Sequence, residues 1–411
     1  MENVLAIIGE YNPFHNGHLY HLNKSKAKAG ADYSIAIMSG NFVQRGNPAI
    51  LDKWTRAKMA LLNGIDLVIE LPCIYSISSA ENFAIGAIKI LNSIKIVDKL
   101  SFGSEIDDIS ILQEFADILT DEPAEFKSLL NHELSKGISF PKARENALLM
   151  YLNDIRRYAN VLSSPNNILA IEYLKALNIT ESEITPMAIK RVGPGYNSRM
   201  IDNEFASATS IRELAESRNF YALDKLMPKI SYDILSDEIK KGHYVSGIEK
   251  FEKEIMFTLR NMSVAEIANL PDVSEGLENA LKNAANSCNS LSEFMNFVKS
   301  KRYTATRLQR ILLYALLGFT KEDMENSKKI DEPYIRVLGF NEKGQNLLSE
   351  ICNNNKKLQV VTSVKQFTTT CRNKKLLMMM EKDIQATNIY TLGYDYDSYS
   401  NLDYTTKLIT Y

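Results

Sequence analysis

His15 and His18 stand three residues apart with Gly17 between them, inside the stretch Gly9-Glu10-Tyr11-Asn12-Pro13-Phe14-His15-Asn16-Gly17-His18. Two imidazoles at that spacing share one face of a helix's first turn. The apolar run Val4-Leu5-Ala6-Ile7-Ile8 leads into the stretch, and a helical pattern from Leu19 to Ala29, stopped by Gly30, follows it. The order predicts a buried strand, a tight turn and a helix opening at the histidines. A helix N-terminus presents unpaired N–H groups and a partial positive charge, so it seats phosphate. Gly17 has no side chain to hinder a ligand approaching the backbone. The chemistry this favours is retention of a nucleoside triphosphate and stabilisation of charge during attack at its α-phosphorus.

A second phosphate site is readable in Ser207-Ala208-Thr209-Ser210-Ile211-Arg212-Glu213. Ser210-x-x-Glu213 has the spacing of a capping box. Ser207, Thr209 and Ser210 gather three hydroxyls at a helix start, where the cation Arg212 opposes the dipole unless an anion binds. Lys190 and Arg191 stand where another predicted strand, Ile184–Lys190, gives way to a loop, in reach of the α-phosphate or the adenine edge. Gly103 lets an adenosine pack against the backbone, and Asn166 or Asn167 can bond its base or ribose. Arg45, in the loop Ser39–Arg45, is placed for the second substrate. Glu10 and Asp52 are candidate carboxylates for Mg²⁺, which such chemistry uses to bridge phosphates, although Mg²⁺ often keeps mostly water and phosphate ligands.

The elements that must position these residues alternate. Strands are predicted at Val4–Ile8, Ser34–Met38, Leu67–Leu71 and Lys99–Phe102, with helices at Leu19–Ala29, Lys53–Leu62 and Ala80–Leu91. Asp52 caps the second helix and Gly64 closes it. Continuous apolar strands separated by helices indicate a parallel sheet covered on both faces, with right-handed crossovers. Ligands in such sheets bind at the carboxyl ends of strands near the switch in strand order. Residues 106–180 read as mostly helical, with Ser163–Asn167 entering the helix Ile168–Leu177. A fifth strand is predicted at Ile184–Lys190, and the turn-rich composition of Arg191-Val192-Gly193-Pro194-Gly195-Tyr196 after it predicts a mobile loop. Residues 225–325 are helical. A small α/β unit follows, with Tyr334–Leu338, Lys343–Ile351, Leu358–Thr362, a basic helix near Lys374, and Asn388–Leu392.

A chain of 411 residues with 45% apolar content has room for two or three domains at roughly 150 residues each. No window approaches the ~18 apolar residues of a membrane span, and the Met-Glu-Asn start is not that of a signal peptide. The four cysteines, Cys73, Cys288, Cys352 and Cys371, form no C-x-x-C pair, which fits a reducing cytoplasm. The net charge of −2 excludes nothing about partners, but local charge is segregated. Lys299, Lys301, Arg302, Arg307 and Arg310 occur between Phe294 and Lys321 without an acid. Lys356, Lys357, Lys365, Arg372, Lys374 and Lys375 do so between Ile351 and Met380. Tyr303, Arg307, Arg310 and Tyr314 fall on one helical face, opposite Leu308, Ile311, Leu312 and Ala315. Basic helices interleaved with tyrosines suit a phosphate backbone and unstacked bases.

The H-x-G-H pattern resembles the signature of the nucleotidylyltransferase superfamily. Together, Ile7-Ile8-Gly9-Glu10-Tyr11-Asn12-Pro13-Phe14-His15-Asn16-Gly17-His18-Leu19-Tyr20, Ser39–Arg45, Gly103-Ser104-Glu105, Ser139-Phe140-Pro141-x-Ala143-Arg144, Ser164–Tyr173, Lys190-Arg191 and Ser207–Arg212 look like the bacterial tRNA(Met) cytidine acetate ligase family. The resemblance covers nearly the whole chain. It implies an α/β protein: a Rossmann-like parallel-sheet nucleotidylyltransferase core over 1–220, a helical tRNA-binding region over 221–330, and a small C-terminal α/β unit over 331–411. It implies activation of acetate by ATP, with Mg²⁺, to acetyl-adenylate. Acetyl transfer to N4 of the wobble cytidine of elongator tRNA(Met) would follow. By the same resemblance His15 and His18, with Arg212, act at the phosphates. The stretch Ile7 to Tyr20, Gly103, Asn166 or Asn167, Arg191, Ser207, Thr209 and Ser210 bind ATP. Arg45 faces acetate or the acceptor. Lys301, Arg302, Arg307, Arg310, Arg372, Lys374 and Lys375 hold the tRNA. Two other readings compete: a small-molecule adenylyltransferase acting on a phosphate ester, and an RNA-binding protein with a vestigial nucleotide site.

Overall fold

The structure is a computed structural model that describes residues 3–106, 108–158, 161–162, 164–192, 205–274, 276–300 and 303–411. Its strands, in chain order, are β1 Val4–Gly9, β2 Tyr33–Ser39, β3 Phe42–Val43, β4 Asn47–Pro48, β5 Leu67–Leu71, β6 Lys99–Ser104, β7 Thr185–Lys190, β8 Ile335–Phe340, β9 Val360–Val361 and β10 Ile409–Thr410. The main sheet runs β10-β8-β5-β2-β1-β6-β7, with β9 also beside β8. The pairs among β5, β2, β1, β6 and β7 are all parallel. Alternate residues feed the two faces. Val4, Ala6, Ile35 and Ile37 belong to one core; Leu5, Ile7, Ala36 and Met38 belong to the other. This is why these strands are apolar throughout rather than alternating.

The chain crosses from the β2 side of β1 to the β6 side, so β1 is the topological switch point where ligands bind. Helix α1, Asn16–Ala29, starts three residues before the expected Leu19, because the His15 side chain caps it. Gly30 ends it in the left-handed conformation, φ 63°. Helix α2, Lys53–Leu62, has the expected Asp52 cap, whose Oδ1 accepts from Thr55 N–H at 2.9 Å. Asp52 is thereby occupied in capping. The loop after β2 folds into the β3–β4 hairpin, which the sequence reading missed because strands of two residues carry no periodicity.

Among the described residues, 109–179 are mostly helical as expected, ending in Pro165–Ile179. The motifs Ser139–Arg144 and Ser164–Tyr173 meet there, since Arg144 Nη1 pairs with the buried Glu172 Oε1 at 2.7 Å. Among the described residues, the elements from Lys229–Lys241 to Lys321–Lys328 are all helices. The C-terminal α/β unit has no sheet of its own: β8 pairs antiparallel with β5, so the unit completes the core sheet. Asn388–Leu392 continues the helix Lys374–Tyr390 into a 3-10 turn.

A buried ionic network fastens this unit to the core. Lys53 Nζ lies 2.9 Å from Glu70 Oε1 and 2.7 Å from Asp403 Oδ1. Arg336 Nη1 lies 3.2 Å from Glu70 Oε2, and its Nη2 pairs with Asp403. No helix among the described residues is long and apolar enough to cross a membrane. The four cysteines are free thiols, with Cys352 exposed and the others buried.

Candidate active site

The carboxyl end of β1 opens into a cleft of about 430 Å³. Its floor is Ile7, Ile8, Gly9 and Glu10, and α1 contributes Gly17, His18, Tyr20 and His21. The turn is held from beneath. Tyr11 and Phe14 are 3% and 0% exposed, and their rings lie 5.1 and 5.6 Å from His18. Asn12 Oδ1 accepts from Ile50 N–H at 2.7 Å.

The two histidines cap the helix and each other. His15 Nδ1 accepts from Gly17 N–H at 3.0 Å, and His18 Nδ1 accepts from His15 N–H at 3.3 Å. A nitrogen that accepts carries no proton, so each neutral ring bears its proton on Nε2. The rings lie 3.8 Å apart, tilted by 31°. Burial, then Arg191 and Arg212, pushes the His15 imidazole down to about 3. Burial, then His15, Arg191 and His21, holds His18 well below the ordinary imidazole range. At neutral pH both rings are therefore neutral N–H donors. An added Cβ at Gly17 would stand 2.8 Å from the His15 ring, so glycine is required by the cap as well as by ligand approach.

Cations enter from the β7 side. Lys190 and Arg191 line the cleft. Arg191 crosses over Gly103, where a Cβ would meet its Cγ at 3.3 Å. Arg191 Nη1 donates to Asn166 Oδ1 at 3.3 Å, and its Nε is 3.4 Å from Glu105 Oε1, which also accepts from Asn166 Nδ2 at 2.8 Å. Glu105 thus orients both residues. Glu105→Gln is expected to raise the KM for ATP about two- to fivefold with a smaller change in kcat, the size of a half-exposed ion pair; initial-rate kinetics with an unchanged KM would refute this.

Several residues singled out from sequence stand behind the cleft wall. Asn167 is 1% exposed; its Oδ1 accepts from Ser104 Oγ and Glu105 N–H, and its Nδ2 donates to Val161 O, so it fixes the end of β6. Pro13, Phe14, Asn16, Leu19, Thr209 and Ser210 likewise do not line the cleft, whereas Ser207 does. Asn16 Nδ2 donates to Lys225 O. Arg212 donates to Asn12 O at 2.9 Å and to Thr209 Oγ1 at 3.2 Å, bracing the turn rather than lining the cleft. The cap of the helix Ala208–Glu216 is Ser207, accepting from Ser210 N–H at 3.1 Å, so the capping box read at Ser210–Glu213 lies one turn too late.

The β2 side supplies Gln44 and Arg45, and the helix Ala305–Leu317 supplies Thr306. Gly46, with φ +78°, packs on that helix; a Cβ there would sit 2.6 Å from Arg310 N. This helix is not the free basic face expected from its spacing. Tyr314 is 1% exposed and donates to Ile77 O, and Arg310 donates twice to Asp272 Oδ2, at 2.9 and 2.8 Å. Arg307 bonds Asp272 O and Ser274 Oγ. Burial of the end of the helix against the core decided this, which periodicity does not reveal. Lys301, Arg302 and the loop 193–204 lie outside the described residues. Arg372 and Lys374 are exposed and Lys375 half-exposed.

Among the cleft residues not singled out from sequence are His21, Gln44, Phe83, Phe102, Tyr173 and Thr306. His21 was within reach, being one more step of three along α1. Its Nε2 lies 3.2 Å from Ser101 Oγ, and burial first, then Arg191, lowers it to about 4.

A parallel core of strands with a pair of capping histidines at the switch point, His15 buried and His18 half-buried, and cations opposite defines a nucleotidyl transferase of the H-x-G-H class. The HIGH Nucleotidyl Transferase family model matches residues 1–404. A tRNA(Met) cytidine acetate ligase of Thermoanaerobacter sp. (strain X514) is 48% identical over 407 residues, 99% of each chain. That of Acetivibrio thermocellus is 45% identical over 396 residues, 95% of each. Crystal structures of Thermotoga maritima TmcAL superpose with TM-scores of 0.95 for the apo form and 0.93 with alpha-thio ATP bound, at 34% and 35% identity, covering 100% of this chain and 99% of each of those. The chain belongs to the tRNA(Met) cytidine acetate ligase family.

Proposed function

We propose that this protein is the ATP-dependent ligase that converts acetate to acetyl-adenylate and acetylates N4 of the wobble cytidine of elongator tRNA(Met), giving N4-acetylcytidine. The observation that carries the reading is the pair of neutral histidines, each with its proton on Nε2, at the phosphate end of the cleft. Family membership and the alpha-thio ATP bound by the Thermotoga relative support it.

ATP lies along the β6–β7 side, with adenosine over Gly103 beside Asn166, and its phosphates between Arg191, Lys190, Ser207 and the start of α1. An acetate oxygen attacks the α-phosphorus, the bond to the bridging oxygen breaks, and pyrophosphate leaves. His15 and His18 donate Nε2–H to oxygens that gain charge. Neutral donors held by backbone N–H groups need no reorganisation as that charge develops. Arg212 acts through the turn it braces and through its positive field. Arg45 meets the carboxylate of acetate or the acceptor strand.

Mg²⁺, when bound, would supply neutralisation of the charge on the triphosphate. Among the described residues no group of three or more His, Cys, Asp or Glu could hold a metal, and Glu10 is the only carboxylate lining the cleft. The residues fit an ion held by phosphate and water, because the two carboxylates read as candidates are engaged elsewhere: Asp52 caps α2, and Glu10 Oε1 accepts from Gln44 N–H.

Residues 1–220 carry adenylation in this reading, while 221–330 and 331–411 hold the tRNA. Arg372, Lys374 and Lys375 are its contacts, with Arg307 and Arg310 shaping the wall beside Arg45. Replacing Arg372 and Lys374 by Ala is expected to weaken tRNA binding and flatten its log-log salt dependence by about 1 to 2 in slope. An unaltered slope in filter-binding titrations would place the tRNA elsewhere.

ATP–pyrophosphate exchange with and without acetate, in the absence of tRNA, tests the function. Acetate-dependent exchange is expected. Exchange driven instead by a phosphate ester would favour the small-molecule adenylyltransferase, and tight tRNA binding with no ATP turnover would favour the vestigial-site protein.

A further inference from the structure

We propose that Glu10 receives the cytidine: its carboxylate accepts a hydrogen bond from the exocyclic N4 amine, selects cytosine over uracil, and takes the N4 proton as the acetyl group transfers. This rests on the function proposed above.

The cleft is chemically divided. Its cations Lys190 and Arg191, with Gly103 and Asn166, stand toward β6 and β7. Glu10, Gln44 and Thr306 stand on the β2 side, together with Arg45. The histidines lie between. A nucleotide held over β6 and β7 presents its α-phosphorus at the start of α1, so acetate, and then the amine that consumes the acetyl-adenylate, approach from the β2 side.

Glu10 is the single carboxylate on the described cleft wall. Its Oε1 accepts from Gln44 N–H at 3.1 Å, which pins the group toward the β2 side, and Oε2 accepts no hydrogen bond from a described residue. A carboxylate next to a triphosphate and an acetate repels both. Its fitting partner is therefore a donor. Cytosine offers the N4 amine where uracil offers an acceptor oxygen, and Glu or Asp accepting from N4 is the pairing that distinguishes them. Uracil would face the carboxylate with like partial charge, which disfavours the wrong base rather than only favouring the right one. The neighbouring wall is apolar: Phe83 and Tyr173, 2% and 3% exposed, line the same cleft, and burial first, then the Glu10 carboxylate, keeps the Tyr173 phenol protonated.

The step balances. The N4 lone pair forms a bond to the acetyl carbonyl carbon. The bond from that carbon to the phosphate oxygen breaks, AMP leaves with the electron pair, and the N4 proton passes to Glu10 Oε2.

The test supplies chemically made acetyl-adenylate and a tRNA(Met) transcript to wild type and to Glu10→Gln, bypassing ATP. Gln has the same shape, and its oxygen still accepts from Gln44 N–H. Acetylcytidine formation is expected to fall by about 10²-fold, as for loss of a proton acceptor. Transcripts with wobble cytidine or uridine are also compared as inhibitors. Wild type is expected to favour cytidine about tenfold, the low end for one base contact, and Glu10→Gln to lose that preference. Equal transfer rates in the two proteins would overturn the proposal. So would an equal loss of transfer and of adenylate formation from ATP, which would place Glu10 at the phosphates or their metal. If wild type transfers nothing from the supplied adenylate, the function proposed above fails, and this role of Glu10 fails with it.

Discussion

His18→Ala lowers acetate-dependent ATP–pyrophosphate exchange by about 10²-fold or more, the cost of removing one pre-positioned donor to a developing oxyanion, ~2.7 kcal/mol. The size follows from the geometry. His18 Nδ1 is committed to His15 N–H, so the ring has a single proton to give, and it sits on Nε2. Burial removes competing water and keeps the ring neutral. The substitution also removes half of the reciprocal cap that starts α1, and a cap is worth about 1 kcal/mol of stability. His18→Asn separates the two effects, because its amide oxygen can accept from His15 N–H but it places no donor where Nε2 stood. The expected result is a melting temperature closer to wild type than that of His18→Ala, with exchange still depressed. Exchange within threefold of wild type in both variants would remove His18 from the chemistry.

Lys53→Met destabilises the protein by about 3–5 kcal/mol, the usual consequence of taking one partner from a buried ionic network. Lys53 side chain is 1% exposed and Glu70 and Asp403 are 3% and 0% exposed, so two carboxylates would be left with Arg336 alone. Nearby Asp383 is already raised to about 7 by burial first and Glu70 second, so the region has little tolerance for further uncompensated negative charge. Adding Asp403→Asn to Lys53→Met is expected to recover part of the loss, since it removes one stranded charge. Urea denaturation of wild type, single and double variants measures both. A single variant within about 0.5 kcal/mol of wild type, or a double variant less stable than the single, would show that the network is not held as described. The loop bearing Gln44 and Arg45 depends on it too: a Cβ at Gly40 would lie 2.5 Å from Glu70 Oε1, so loop and network are in direct contact.

The sequence by itself determined the local arrangement at the start of the chain. Val4–Ile8 is apolar at every position because both faces of β1 are covered, and Gly9 to His18 holds in one short span the turn, the cap and the histidines. The five core strands were legible for the same reason, and so was the order in which they deliver Gly103, Asn166 and Lys190-Arg191 to one edge. Only the tertiary structure decided which side chains of a motif face the cleft. Asn166 and Asn167 are adjacent and chemically identical, yet one orients Arg191 and the other locks β6, because successive residues of a helix point about 100° apart. Arg310 and Tyr314 share the spacing of a solvated basic face, but long-range contacts with Asp272 and Ile77 draw them inward. The joining of β8 to β5, and the meeting of Lys53 with Asp403 across 350 residues of sequence, leave no periodic trace. Periodicity reports which face of an element is covered; it does not report what covers it.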